Sequence, residues 1–386
     1  MNKVGIVISG KEQAGGVIQY ICSLIDGLKK DKFNKYIIFC EKENEIIKNS
    51  SFEVRIIKNK YNLFNKMIDL FLYLFIIRSK INIPKKDLVL FADIDYFIAP
   101  TSSIYPHFFL KKPFIVTLHD LQERYFPENF TRYERFLRWI TNRALSSTAS
   151  KILCESIFVK SDIIKFLNIN SNKIAVIAAP PPALLLNHEI NTSKIDIIKK
   201  KYNIKKKFIF YPAQTWIHKN HIRLIDAFKI VSDKFIDVDL ILTGAPKSNH
   251  SNVINKIKNN NLSNRVRYLG YIDYLDLPYL YKLSEFLIMP SLFESVSIPI
   301  YESFALKVPV ACSNVVALPE QVGDSALIFD PLDITDMSNK MIMYLDNQEL
   351  GKKMGHKGYE RIKGHNHDEY CKKLLGILSL KKNIEI

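Results

Sequence analysis

Along this chain, short apolar runs stop at glycine, proline or small polar residues, and apolar positions then return with the spacing of a helix. Val4 to Ser9 ends at Gly10, and Gly15-Gly16 precede a helical pattern from Val17 to Leu28. Tyr36 to Cys40, Val54 to Ile57, Leu88 to Phe91 and Phe114 to Leu118 read as further buried strands, and the last of these runs into His119-Asp120. Lys151 to Cys154 and Lys173 to Ile177 complete this half. Pro180-Pro181-Pro182 then continues neither helix nor sheet, which puts a domain boundary just beyond it.

The second half restarts the alternation. Phe208 to Tyr211 is a strand, Pro212 to Asn220 a loop and His221 to Lys234 a helix. Val238 to Thr243 ends in Gly244, Val266 to Leu269 ends in Gly270, and Phe286 to Met289 stops at Pro290-Ser291 before a helix starting near Ile298. Val308 to Ala311 and Ala326 to Phe329 are the last strands, and Ile334 to Leu345 and Leu350 to Ile362 are helical. Repeated strand–helix units predict parallel sheets covered on both faces. The expected domains are 1–183 and 184–365, followed by a closing segment, 366–386.

Length agrees, since 386 residues exceed one ordinary core and suit two domains of about 150–200 residues. A composition of 47% hydrophobic and 24% charged residues is globular and speaks against extended disorder. The net charge of +16 raises anionic partners, but lysine and arginine are scattered and form no nucleic-acid motif, so nucleic acid is set aside. Cys22, Cys40, Cys154, Cys312 and Cys371 are odd in number and widely spaced, as expected for free thiols in a reducing compartment. The chain enters directly into a strand, without a charged and apolar leader, which predicts a cytoplasmic protein. Leu63 to Ile77 is the most apolar stretch, broken by Asn65, Lys66 and Asp69. It is expected to be a core-facing helix rather than one resting on a membrane.

Candidate chemistry gathers at the strand ends. In an open α/β sheet ligands sit outside the carboxyl ends of the strands, where free N–H groups and helix dipoles point. Glu294 lies in the loop after Phe286 to Met289, and Glu302 lies eight positions on, inside the following helix. Their spacing suits no metal cluster, and a neutral polyol reaching carboxylate acceptors is a sensible occupant. His218 and Lys219 stand at the start of the helix at His221, where a cation and free N–H groups suit a phosphate. Gly15-Gly16 opens a helix without the dinucleotide fingerprint, and His119 closes a strand. Arg124 to Arg143 interleaves arginines with Tyr125, Phe126, Phe130, Tyr133, Phe136 and Trp139. That pattern fits anionic headgroups, or equally a helix packing its aromatics inward. Asp93-Ile94-Asp95 is read as a strand end rather than a metal motif.

Nearly the whole chain resembles a known family, the retaining nucleotide-sugar glycosyltransferases of family 4 (group 1), whose GT-B fold sets two Rossmann-like parallel-sheet domains facing across a cleft. Its glutamate pair, separated by seven residues, matches Glu294 and Glu302 within Pro290-Ser291-Leu292-Phe293-Glu294 and Tyr301-Glu302-Ser303-Phe304-Ala305. Tyr211-Pro212-Ala213-Gln214-Thr215-Trp216-Ile217-His218-Lys219-Asn220-His221 looks like the loop of one subgroup, and Leu318-Pro319-Glu320, Gly323-Asp324 and Phe329-Asp330-Pro331 follow where expected.

By that resemblance Glu302 accepts from the donor ribose and Glu294 sits against the donor hexose. Ser295, Val296 and Ser297 offer N–H groups, Lys219 with His218 and Gln214 borders the diphosphate, and Tyr271 and Ile272 edge the base. Gly15 and Gly16 lie against donor and acceptor, and His119 faces the reacting sugar. The resemblance implies no metal and no cofactor beyond the nucleoside-diphosphate sugar. Two positions depart from the family: Ser295, Val296 and Ser297 stand where glycines are common, and Gln214 stands where an arginine is frequent. The implied activity is transfer of a hexose to a hydroxyl of a growing glycan in cell-surface polysaccharide synthesis. The charge and the arginine-aromatic segment suggest a lipid-linked acceptor and a peripheral station on the inner membrane face. The alternative is a non-catalytic nucleotide- or glycan-binding scaffold of a glycan-assembly complex.

Overall fold

The computed structural model describes residues 2–8, 15–57, 63–182, 185 and 191–379. They divide into two units, Met1–Ala179 with His367–Ile386, and Pro180–Asn366. Each is built on a wholly parallel sheet. In the first unit the strands are β1 (Asn2–Val7), β2 (Asn34–Cys40), β3 (Glu53–Ile56), β4 (Tyr96–Ala99), β5 (Phe114–Thr117), β6 (Lys151–Cys154) and β7 (Ile174–Val176), ordered β3-β2-β1-β4-β5-β6-β7. In the second they are β8 (Lys207–Pro212), β9 (Val238–Thr243), β10 (Val266–Tyr268), β11 (Phe286–Met289), β12 (Val310–Ser313) and β13 (Leu327–Phe329), ordered β10-β9-β8-β11-β12-β13. In both sheets the order reverses beside the first strand, between β1 and β4 and between β8 and β11. The loops after these strands therefore diverge and leave a crevice.

Side-chain alternation builds the core on both faces of the first sheet. From β2, Ile37 and Phe39 enter one cluster, whereas Tyr36, Ile38 and Cys40 enter the other. The second cluster also receives Tyr20, Leu24 and Leu28 from the helix Gly16–Leu28 and Tyr370, Leu374 and Leu378 from the helix His367–Ser379. The absence of a side chain at Gly27 admits Tyr370, whose ring lies 3.1 Å from where a Cβ would stand. All five cysteines are free thiols.

Three sequence expectations change. Leu88 to Phe91 is not a strand: residues Lys85–Leu90 form a helix entered through Pro84 with Asp87 in its first turn, and the strand of this region is β4. A short apolar run does not by itself separate a buried strand from a helix, and the proline at the helix entry was the informative signal. Asp93 and Asp95 accordingly precede a strand. Asp93 meets the Arg55 guanidinium at 2.6 and 3.0 Å and the Lys3 ammonium at 2.9 Å, and the Arg55 bonds first and Lys3 next hold its carboxyl well below the usual range.

The third concerns Leu63 to Ile77. The helix Leu63–Leu74 buries Leu72 and Asp69 but leaves Met67, Phe71, Leu74 and Phe75 exposed, so it is only half a core helix. The Arg124 to Arg143 stretch, for its part, is not a row of free arginines. Arg124 lies over Phe166, Arg138 binds Glu123 at 2.8 Å and Asp120 at 2.9 Å, and Tyr125 donates to Asp162 at 2.5 Å.

Candidate functional site

In the second unit two loops meet at the point where strand order reverses, 213–220 after β8 and 290–297 after β11. They are sewn together by buried polar groups. Asn220, left-handed at φ 57° as asparagine tolerates, donates through Nδ2 to the carbonyls of Pro290 (3.0 Å) and Pro331 (2.9 Å). The Leu292 N–H reaches the His218 carbonyl at 2.7 Å, and the Tyr211 hydroxyl donates to the Lys219 carbonyl at 2.7 Å. Gly244 brings the β9 loop against the same place: its φ of +118° and the Ala213 carbonyl 2.7 Å from a would-be Cβ leave room for no other residue.

On this frame Lys219 extends its ammonium to Glu294 Oε1, which also accepts from the Ser291 hydroxyl at 2.8 Å. Both charged side chains are mostly buried, Lys219 at 19% and Glu294 at 10% exposure. Lys219 and Glu294, seventy-five positions apart, thus form one electrostatic unit. Glu302 sits apart from that pair. The helix Ile298–Ala305 buries it, it accepts from the Tyr281 hydroxyl at 2.5 Å, and burial pushes its carboxyl up to about 7 against the weaker downward pull of that bond.

Loop 294–297 has a third support. Gln321, buried in the helix Leu318–Val322, grips Ser297 from both sides, accepting from its N–H at 2.9 Å and donating to its carbonyl at 2.7 Å, while the Ala317 N–H reaches the Glu294 carbonyl at 3.3 Å. The expected trio of ligand-facing N–H groups is therefore reduced. That of Ser297 is taken, and those of Ser295 and Val296 have no partner among the described residues. The hydroxyl of Ser297 is buried without a hydrogen-bond partner.

Other expected residues fall into place unevenly. Gln214 accepts from the Trp216 indole N–H at 2.9 Å, and the Lys247 ammonium lies 5.3 Å from the centre of that ring, which brings a cation to the loop that lacks the arginine. Tyr271 is 81% exposed, whereas the side chain of Ile272 joins the core and offers no free apolar edge.

In the first unit Gly15 has φ +89° and its carbonyl accepts from Ile18 and Gln19, starting the helix that Gly16 opens. A Cβ at Gly16 would meet nothing within 4 Å. Residues 9–14, Ser9 and Gly10 among them, lie outside the described residues. His119, after β5, has both ring nitrogens engaged: Nδ1 with Glu155 and Nε2 with the Pro100 carbonyl, each at 2.9 Å. Both partners are acceptors, so the doubly protonated ring satisfies both. Burial alone would lower the pKa of His119, but the bond and charge of Glu155 and the Pro100 carbonyl together carry it upward. Its ring is also edge-on to Tyr20, with centroids 4.8 Å apart. Among the described residues no group of three histidine, cysteine or acidic side chains is placed to hold a metal ion.

Two parallel α/β sheets, with polar loops converging where strand order reverses, define a doubly wound nucleotide-binding class of architecture. Comparison with known proteins makes this specific. The model for Glycosyltransferase Family 4 matches residues 14–180, and that for Glycosyl transferases group 1 matches residues 194–361. The chain belongs to this family, glycosyltransferase family 4 (group 1), and has the GT-B fold.

It is 28% identical to O-antigen chain mannosyltransferase B of Escherichia coli over 239 residues, 60% of this chain and 61% of that protein. It is 27% identical to O-antigen chain mannosyltransferase RfbU of Salmonella typhimurium over 220 residues, 56% of this chain and 57% of that one. The matched span thus covers about three fifths of the length of these relatives. Among solved structures, Anabaena Alr3699/HepE in complex with UDP and glucose has a TM-score of 0.78 at 16% identity, with 98% of this chain and 100% of that one covered.

Proposed function

We propose that this chain is a retaining glycosyltransferase that moves a hexose from a nucleoside-diphosphate sugar to a hydroxyl of a growing, lipid-linked glycan in cell-surface polysaccharide synthesis. The observation that carries the reading is the Lys219–Glu294 pair, set at the reversal point of the second sheet beside the free N–H groups of Ser295 and Val296. A departing diphosphate needs charge stabilisation in a site poor in water, and an ammonium with aligned N–H groups supplies it. Glu294, released from Lys219 when the diphosphate takes the cation, becomes an acceptor for hexose hydroxyls. Lys247 supplies further positive charge. Glu302 accepts from ribose hydroxyls, and a donor hydroxyl in that position favours its ionised form.

On this account the acceptor hydroxyl attacks the anomeric carbon from the face the diphosphate leaves. The carbon–oxygen bond to phosphate breaks with its electron pair going to phosphate, and a phosphate oxygen takes the acceptor proton, so the configuration is retained. His119, tied at both ring nitrogens, is a fixed cationic ring rather than a base. The O-antigen mannosyltransferases among its relatives support polysaccharide synthesis and a mannosyl donor as the first choice. No helix of the described residues is long and apolar enough to cross a membrane, and we place the protein in the cytoplasm, peripheral to the inner membrane face.

Thermal unfolding with a panel of UDP-, GDP-, dTDP- and ADP-sugars tests the donor site, because a ligand of the folded state raises Tm with its affinity. One donor class stabilising the wild type but not Lys219→Ala, with nucleoside diphosphate released only when an acceptor is added, is the expected result. Donor binding without release under any acceptor would establish the scaffold alternative instead.

A further inference from the structure

We propose that the first unit docks on an anionic lipid bilayer through a composite face made by the helix Leu63–Leu74, the segment that follows it to Val89, and the outer side of the helix Arg132–Thr148. The proposal gives a physical surface to the lipid-linked acceptor proposed above and rests on that reading only for its purpose. The surface itself follows from burial and charge.

The helix Leu63–Leu74 turns Ile68, Leu72 and Tyr73 toward the core. On its other side, Met67 (65% exposed), Phe71 (55%) and, just past its end, Phe75 (59%) stand four residues apart, with the Phe71 and Phe75 ring centroids at 4.7 Å. Ile77, Ile81 and Val89 extend the exposed apolar surface beyond it. The neighbouring helix continues the face. Arg143 donates to the Leu74 carbonyl at 3.1 Å and lies over Trp139, whose ring lies 6.1 Å from that of Phe136. Arg132, exposed, stands four positions before Phe136 on the same helix, and Tyr133 next to it is exposed. Large apolar side chains left this exposed on one helix and the elements beside it call for a partner.

Charge selects among partners. Across residues 67–90 the only acids are Asp69 and Asp87, and both are buried. The fully exposed charges among the described side chains there are Lys80 and Lys85. On the adjoining helix Glu134 is held in a capping box with Thr131. The result is phenylalanine, tyrosine and tryptophan rimmed by cations, the composition that settles at the headgroup level of an anionic bilayer. A second copy of this chain would set Lys80, Lys85 and Arg132 against their own kind, and like charges across an interface disfavour it.

The test is flotation of the full chain with phosphatidylcholine vesicles, with and without phosphatidylglycerol. Wild type is expected to float with the anionic vesicles and far less with the neutral ones. Phe71→Ser/Phe75→Ser, on exposed positions, should lower partitioning at least about tenfold, and Lys80→Ser/Lys85→Ser severalfold, with loss of salt sensitivity. Phe33→Ser, an exposed phenylalanine outside this face, should change nothing. Far-UV circular dichroism and Tm confirm that each variant is folded. Wild type unbound to anionic vesicles, or Phe71→Ser/Phe75→Ser bound as tightly as wild type, overturns the proposal. So does a concentration-dependent dimer that the aromatic variant abolishes in the absence of vesicle binding. The two readings fail separately. Turnover on a detergent-soluble acceptor without vesicle binding sinks the docking face alone, and vesicle binding without turnover on any acceptor sinks the transferase alone.

Discussion

Each unit sets a cation against a mostly buried carboxylate beyond the carboxyl end of its sheet, His119 with Glu155 in the first and Lys219 with Glu294 in the second. The resemblance ends there. His119 is fixed at both nitrogens, by Glu155 and by the Pro100 carbonyl, and its ring lies edge-on to Tyr20, so every polar atom of the imidazole has a protein partner. Lys219 carries three donors on a flexible stem, with Glu294 as its described side-chain partner. The Glu294 oxygen that receives it is steadied separately by Ser291. The first pair is built to hold one geometry, the second to exchange partners. On the proposed reading a diphosphate takes over Lys219 at the cost of one ion pair, whereas nothing can recruit His119 without undoing two hydrogen bonds.

The strongest way to break this contrast is Lys219→Ala. Loss of the cation is expected to lower kcat/KM for the donor about 100- to 1000-fold. It also leaves Glu294 buried and uncompensated, at about 3 kcal/mol of stability by urea unfolding. The double variant Lys219→Met/Glu294→Gln should recover most of that stability and none of the turnover. Full turnover in Lys219→Ala would remove Lys219 from the site altogether.

Next in size is Glu302, whose burial makes the second unit sensitive to pH. An unfolded glutamate releases its proton near 4.5, while the folded carboxyl keeps it to about 7. Between these values the folded state binds more protons, so raising pH across that window destabilises it, by up to about 3 kcal/mol, and the loss levels off above it. Glu302→Gln should flatten this decline in urea midpoints measured from pH 4.5 to 8. An unchanged slope would mean that Glu302 ionises freely.

The smallest effect sharpens the other side of the comparison. Because its pKa is raised, protonated His119 contributes stability that is complete below the ordinary histidine value and is lost as pH rises through the folded one. Glu155→Gln should move the His119 titration, followed by NMR, to lower pH, with a change in stability of about 1 kcal/mol or less. No movement would show that the Pro100 carbonyl alone sets the charge of the ring.

Much of this was legible along the chain. The alternation of apolar runs and helical spacing predicted parallel strand–helix units, and the glutamates and the lysine were found from their places beyond strand ends. The misses have more than one cause: a short apolar run such as Leu88 to Phe91 does not separate strand from helix, and periodicity reports which side of an element is apolar and not what covers it. Leu63 to Ile77 has the pattern of a packed helix, yet its outer phenylalanines, Phe71 and Phe75, stack on each other and stay more than half exposed. Gln321 gave no signal as a support of loop 294–297, because its grip on Ser297 spans twenty-four residues and depends on a short helix being turned inward.

The sequence by itself determined the class of fold and singled out Glu294, Glu302, Lys219 and His119 as candidates, because strand and helix periodicities and turn residues act over a few neighbouring positions. Only the tertiary structure decided that Lys219 closes on Glu294, that burial holds a proton on Glu302 against the pull of the Tyr281 hydroxyl, and that His119 is tied at both nitrogens. These are contacts between groups 19 to 75 residues apart, and the field and solvation that set their charges exist only once the strands are ordered in the sheet.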